Sequence, residues 1–261
     1  MSATIHDGTV RAGGTAVWAP RIIPPIGVDL TPQQELACAF RILARSGFSE
    51  NIAGHITMAP EGSDEMWVNP WGLWWEEVSA SDICRVTADG EVLDGKWDVT
   101  PAIHIHTELH RRRTDARVVI HNHPYYVTVL AAVGMLPEIV HQTGSMFDGD
   151  LSLVTEYTGE VDDAVLGAQL AEMIGDRSTV ILASHGVIVT GANIREATYR
   201  AASIDRMCRL AYDVMVLGRQ PLTIAQGLRA GMKRSLLERG SDVYWAGAVR
   251  ALLRTEPDVL H

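Results

Sequence analysis

Cysteine is scarce: the 261 residues hold only Cys38, Cys84 and Cys208, far apart and without a C-x-x-C pair. That argues against a disulfide framework or a cysteine zinc site and fits a reducing cytoplasm. Long apolar runs are missing too, since no stretch approaches the roughly 18 apolar residues of a spanning helix. The first residues, MSATIHDGTVRAGGTAVW, lack the basic start and continuous apolar segment of an export signal, so neither a membrane partner nor export is expected. Positive charge is in deficit, with 22 Lys and Arg against 32 Asp and Glu and a formal net charge of -10. Such a chain repels phosphate backbones and anionic lipid surfaces, which sets nucleic acid aside as a partner.

The chain is 47% hydrophobic, enough for a sizeable core, and it shows no repeats, so one domain is the economical reading. Residues 1–30 carry turn and breaker residues with little periodicity and read as an irregular leader. At Thr31 a capping box with Pro32 at the first helical position opens a helix over about 32–45. Strand patterns at 55–59, 66–70 and 83–87, with Asp89-Gly90 as a tight turn into a further strand at Glu91-Val92-Leu93, predict antiparallel sheet. A helix from Thr100-Pro101 to about Arg113 precedes a strand at 117–121. Helices over 125–133 and 162–174, strands at 179–183 and 187–190, and a long helix over about 193–217 follow. Residues 31–220 thus read as the main domain, and 221–261 as a helical extension that packs on it or on a neighbouring subunit.

In an extended chain alternate side chains share a face, so His121 and His123 of RVVIHNHPYY point together while Asn122 points back. Neutral imidazoles suit Zn, Mn or Fe, and a catalytic site needs three protein ligands and an open position. His185, in ILASHGVIV at another strand end, is the third candidate, with Gly186 letting backbone pass close by. The competing reading is that H-x-H arises by chance among ten histidines and that each ring is a hydrogen-bonded core residue.

The succession GFSENIAGHIT, NPWG, ARVVIHNHPYY and ILASHGVIVTG, followed by a long helix, resembles the class II aldolase/adducin family from about Gln33 to Leu217. The resemblance implies a three-layer α/β/α fold around a central, mainly antiparallel sheet. It also implies one divalent metal held by His121, His123 and His185, and a homotetramer with sites between subunits. The sugar phosphate aldolases of the family place a carboxylate where Ala102 stands here, and alanine can neither accept a proton nor bind metal. The family's phosphate loop is replaced by Asn69-Pro70-Trp71-Gly72-Leu73-Trp74-Trp75, whose indoles suit a flat or apolar substrate unless they are core or interface residues. The sequence therefore looks more like the decarboxylase and oxygenase branch, which includes a hydroxymethylpyridine dicarboxylate decarboxylase and the oxidative decarboxylases of aminocoumarin biosynthesis.

The resulting expectation is a metal-dependent carbon–carbon lyase that decarboxylates a hydroxy-aromatic or 2-oxo carboxylic acid, the metal receiving the electrons of the broken bond. His106, one turn beyond Ala102, is the first choice of proton donor, with Tyr157 second; a buried histidine pinning helix to sheet is the alternative for His106. Asn51, Gly54, His55 and Trp71 are candidate substrate contacts. An Fe(II) oxygenase using the same histidines, an aldolase proper and a non-catalytic adducin-like scaffold remain open.

Overall fold

The computed structural model describes residues 20, 22–156 and 159–261. The first helix, α1 (Pro32–Arg45), begins as its sequence dictates: the Thr31 hydroxyl accepts from the Gln34 amide, and Gln34 Oε1 accepts from the Thr31 amide. Among the described residues eight strands follow: β1 (His55–Met58), β2 (Glu65–Val68), β3 (Cys84–Thr87), β4 (Val92–Asp94), β5 (Val118–Asn122), β6 (Leu151–Val154), β7 (Thr179–Leu182) and β8 (Val187–Gly191). They form one sheet in the order β4-β3-β2-β1-β5-β8-β7-β6. Every pairing is antiparallel except β6 with β7.

Helices cover both faces, and the pleat decides which side chain meets which layer. On one face Ile56, Val118, Ile120, Val187 and Val189 pack with α1, α3 (Tyr125–Ala132), α5 (Ile194–Val216) and α7 (Ser241–Leu253). On the other, Val119, Val180, Leu182 and Ile188 meet α2 (Ile103–Arg112) and α4 (Ala164–Ile174). This is the expected three-layer α/β/α arrangement, and it explains why β5 is buried along its whole length. His55 and Thr57 share the α2-facing side of β1, opposite His121 and Val119 of β5.

One feature departs from the sequence reading. LSLV at 151–154 forms an edge strand, β6, where none was expected, and it runs parallel to β7 because α4 supplies the crossover that parallel strands need. In the tail, α6 (Gln226–Ser235) leads through a π-helical turn at 236–240 into α7. Trp245, Val249 and Leu252 of α7 and Val259 beyond it belong to the same core as α1 and α5. Arg41 of α1, itself buried, pairs with Glu256 at 3.0 Å and Asp258 at 3.1 Å and so fastens the last turn.

Candidate functional site

The site forms where β1, β5 and the β7–β8 turn end together. His121 stands in β5 directly across from His55 on β1 and from Ile188 on β8. His123 follows just past the strand. His185 sits in a turn whose preceding residue, Ser184, takes φ of 56°, a left-handed conformation uncommon outside glycine. The turn closes through the Leu182 amide donating to the Gly186 carbonyl at 2.8 Å. A Cβ on Gly186 would lie 2.5 Å from the Asn122 carbonyl oxygen and 2.6 Å from His123 Cδ2. Only a residue without a side chain lets this turn rest against the end of β5.

His121, His123 and His185 thereby converge, with one ligand-capable atom of each within 4.8 Å of the others. Two of the rings are oriented from behind. His121 Nδ1 donates to the Val187 carbonyl at 3.0 Å, and His123 Nδ1 donates to Glu50 Oε2 at 2.7 Å. In a neutral ring that leaves Nε2 as a bare lone pair, and these two Nε2 atoms face each other at 3.3 Å. Opposed lone pairs at that distance repel unless a cation lies between them, so the donor set fits a divalent metal. The carboxylate behind His123 is the usual outer partner of a metal-bound imidazole. Burial pushes His121 well below the ordinary histidine value, and burial followed by the nearby His123 brings His185 down to about 4. Both rings are therefore neutral at pH 7, as ligation requires.

The histidines open on a cleft of about 300 Å³. Gly54, His55 and Trp71 line it, as do Asn69 and Ala102. Gly54 has φ of 85°, and a Cβ there would meet the Asn122 side chain at 2.5 Å, so glycine is demanded by backbone approach to β5. Asn51 is exposed, at φ of 44°, in the turn closed by the Glu50–Ala53 bridge, and it is not among the lining residues. Trp71 is half exposed at the cleft mouth, whereas Trp75 is buried against Phe40 and Phe48, so the indole-rich loop serves both cleft and core.

His106 is placed differently from the proton donor expected at the cleft. It is fully buried behind His55, with both ring nitrogens engaged, Nε2 by His55 Nδ1 at 2.5 Å and Nδ1 by Thr57 Oγ1 at 2.8 Å. Its contact with the cleft runs through His55. Tyr157 lies outside the described residues. Carboxylates do reach the cleft wall, but from the segment before α4, as Glu160 and Asp162. Sequence reasoning passed over these two; Glu50 was read only as part of the loop with Asn51, Gly54 and His55, and its link to His123, 73 residues away, went unseen. Thr57 and His110 were missed as well, although Thr57 alternates with His55 on one strand and His110 follows His106 at helical spacing.

An α/β/α sandwich with a cleft at its strand ends, lined by three histidines that could hold a metal ion, places the protein in the α/β class. The chain belongs to the family described as the class II aldolase and adducin N-terminal domain, whose pattern matches residues 34–212. It is 32% identical over 179 residues to the 4-hydroxy-3-prenylphenylpyruvate oxygenase/4-hydroxy-3-prenylbenzoate synthase of Streptomyces roseochromogenus subsp. oscitans, covering 67% of this chain and 64% of that protein. The chain thus spans slightly less than two thirds of that relative. It is 30% identical over 198 residues to the 3,4-dihydroxyphthalate decarboxylase of Arthrobacter keyseri, covering 71% and 79%. Among solved structures, L-fuculose 1-phosphate aldolase from Glaciozyma antarctica PI12 superposes with a TM-score of 0.78 at 23% identity, over 88% of this chain and 91% of that one, which shows the shared fold. Family and relatives together make the chain a lyase-type enzyme. Among the described residues no helix is long and apolar enough to cross a membrane.

Proposed function

We propose that the protein is a decarboxylase acting on a hydroxy-aromatic or 2-oxo carboxylic acid, with Zn, Mn or Fe on His121, His123 and His185. The observation that carries this reading is the pairing of three converging imidazoles with Ala102 on the cleft wall, where an aldolase would keep its carboxylate. When bound, the metal supplies Lewis-acid polarisation of a carbonyl or phenolate oxygen, the electron sink that breaking a C–C bond requires. Loss of CO₂ leaves the bonding pair on the substrate and needs no base, so the alanine is no obstacle. The carbon that loses CO₂ then takes up a proton, for which Tyr157 is the proposed donor; His106, the other expected donor, is held behind His55 with both ring nitrogens engaged. Trp71 offers a flat apolar face at the mouth, and the relatives named as a decarboxylase and an oxidative enzyme of aromatic acids support an aromatic substrate.

We further propose a homotetrameric, cytoplasmic protein whose catalytic unit is residues 31–220. Three free, buried cysteines suit a reducing compartment, and exposed Trp71, Trp74 and Tyr125 near the cleft offer surface for a neighbouring subunit. The second reading, an Fe(II) oxygenase with the same ligands, is favoured by the Streptomyces relative. Aromatic hydroxy acids and 2-oxo acids offered to the Mn-, Fe- and Zn-loaded protein with and without O₂ decide between them. CO₂ release in the absence of O₂ is expected; strict dependence on O₂ would establish the oxygenase, and cleavage of a hydroxy-keto phosphate to an aldehyde would restore the aldolase.

A further inference from the structure

Behind the cleft runs an unbroken hydrogen-bonded line through the α2-facing layer: Ala116 carbonyl, His110, Thr57, His106, His55. His110 Nδ1 lies 2.7 Å from the Ala116 oxygen, and His110 Nε2 lies 2.7 Å from Thr57 Oγ1. Thr57 Oγ1 lies 2.8 Å from His106 Nδ1, and His106 Nε2 lies 2.5 Å from His55 Nδ1. The line exists because strand and helix periods coincide: His55 and Thr57 alternate on one side of β1, and His106 and His110 are four apart on α2.

Proton positions in this line follow from one fixed end. A carbonyl oxygen only accepts, so His110 Nδ1 carries the proton and the neutral ring must accept at Nε2. The single hydroxyl proton of Thr57 goes to that nitrogen, so Thr57 Oγ1 can only accept from His106 Nδ1–H. The same logic makes His106 Nε2 the acceptor of His55 Nδ1–H. His55 is left with a bare lone pair on Nε2. The two rings behind it stay neutral because burial pushes His106 well below the ordinary value and brings His110 down to about 4. His55 is 6% exposed and lines the cleft, and no hydrogen bond from the described residues reaches its Nε2. Nor is that nitrogen among the sealed, unpartnered side-chain atoms, so it opens on the cleft. It also stands outside the three-histidine group.

We propose that His55 is a specificity-determining residue: the line behind it locks its Nε2 as a hydrogen-bond acceptor, which selects carboxylate substrates bearing a hydroxyl that can donate to it. The choice of a hydroxy carboxylate rests on the decarboxylase reading above, whereas the polarity of the line is a property of this chain alone. A site built around one fixed acceptor discriminates strongly against an analogue that cannot donate, because the buried lone pair is then left unpaired.

Two measurements on the Zn²⁺-loaded full chain test this. Histidine-selective ¹⁵N NMR reads the tautomers directly, and His55, His106 and His110 are all expected as the Nδ1–H form; an Nε2–H form at any of the three overturns the line. Calorimetric titration then compares 2-hydroxybenzoates carrying a second hydroxyl at ring position 3, 4, 5 or 6, each against the fluoro analogue, which is similar in size but cannot donate. At one position at least, the hydroxyl compound should bind about tenfold tighter. Thr57→Val should abolish that preference, and Thr57→Ser, which restores the hydroxyl, should keep it. Equal binding at every position, or a preference that survives both Thr57→Val and His55→Phe, overturns the selection. Correct tautomers with no CO₂ released from any acid would sink the decarboxylase reading and leave the line standing. If none of the benzoates binds, the selection claim falls with it.

Discussion

Two groups of histidines lie side by side in this molecule, and they differ in what sits behind each ring. At the cleft, His121 and His123 have an acceptor behind Nδ1, a backbone carbonyl in one case and the Glu50 carboxylate in the other, so each turns a bare nitrogen toward a shared point. Deeper in, His110, His106 and Thr57 are joined to one another, and their nitrogens are used up. The same side chain thus serves as ligand or as wiring according to its partner. His55 belongs to both groups, since it is wired at one nitrogen and open at the other.

That contrast can be broken most severely at the ligands. His123→Ala should reduce bound transition metal from about one equivalent to almost none by elemental analysis, with the far-ultraviolet dichroism unchanged; undiminished metal would remove His123 from the site. Next is Glu50→Gln, which keeps the shape but weakens the acceptor, and metal affinity should fall by roughly tenfold, the low end of the range for such outer partners because Glu50 is half exposed. Gly186→Ala forces a methyl into the Asn122 carbonyl and should lower stability by about 1–3 kcal/mol in urea unfolding while also weakening metal binding. Thr57→Val touches only the wiring, costs about 1–3 kcal/mol through the buried groups it strands, and should leave metal content intact.

A further effect concerns acid. His110 titrates near 4 when folded, chiefly because it is buried, and near its ordinary value of 6.5 when unfolded. Between those values the unfolded chain holds the extra proton, so stability falls as pH drops from about 6.5 toward 4. The slope of melting temperature against pH over that window should be shallower in His110→Phe, and an unaltered slope would show that His110 is protonated in the folded chain.

The main helices and seven of the eight strands were legible because their signals are local: a capping box at Thr31, apolar residues at helical spacing, alternation or continuous apolarity in the strands. β6 escaped because LSLV is short and only partly buried at a sheet edge, where propensity carries little weight. The strand-end positions of His121, His123 and His185 and the vacancy of an acid at Ala102 could be read from spacing and resemblance. The outer partners could not. Glu50 meets His123 only after β1 and β5 have paired, and Thr57 meets His110 only after α2 has packed on β1. His106 stood as the first choice of proton donor, with a buried histidine pinning helix to sheet as the alternative, and which of the two holds depends on α2 lying on β1, which no local pattern announces.

The register that sets His55 across from His121, and Asn122 across from Val187, ties the centre to how the strands were threaded. Slipping β5 by a single residue would send His121 to the opposite layer and pull His123 away from the turn that carries His185. A misthreaded molecule would therefore be unable to load its ion, however compact it became. Metal uptake by a refolded sample consequently counts the chains that found the right pairing, and an apo fraction that resists reloading measures those that did not.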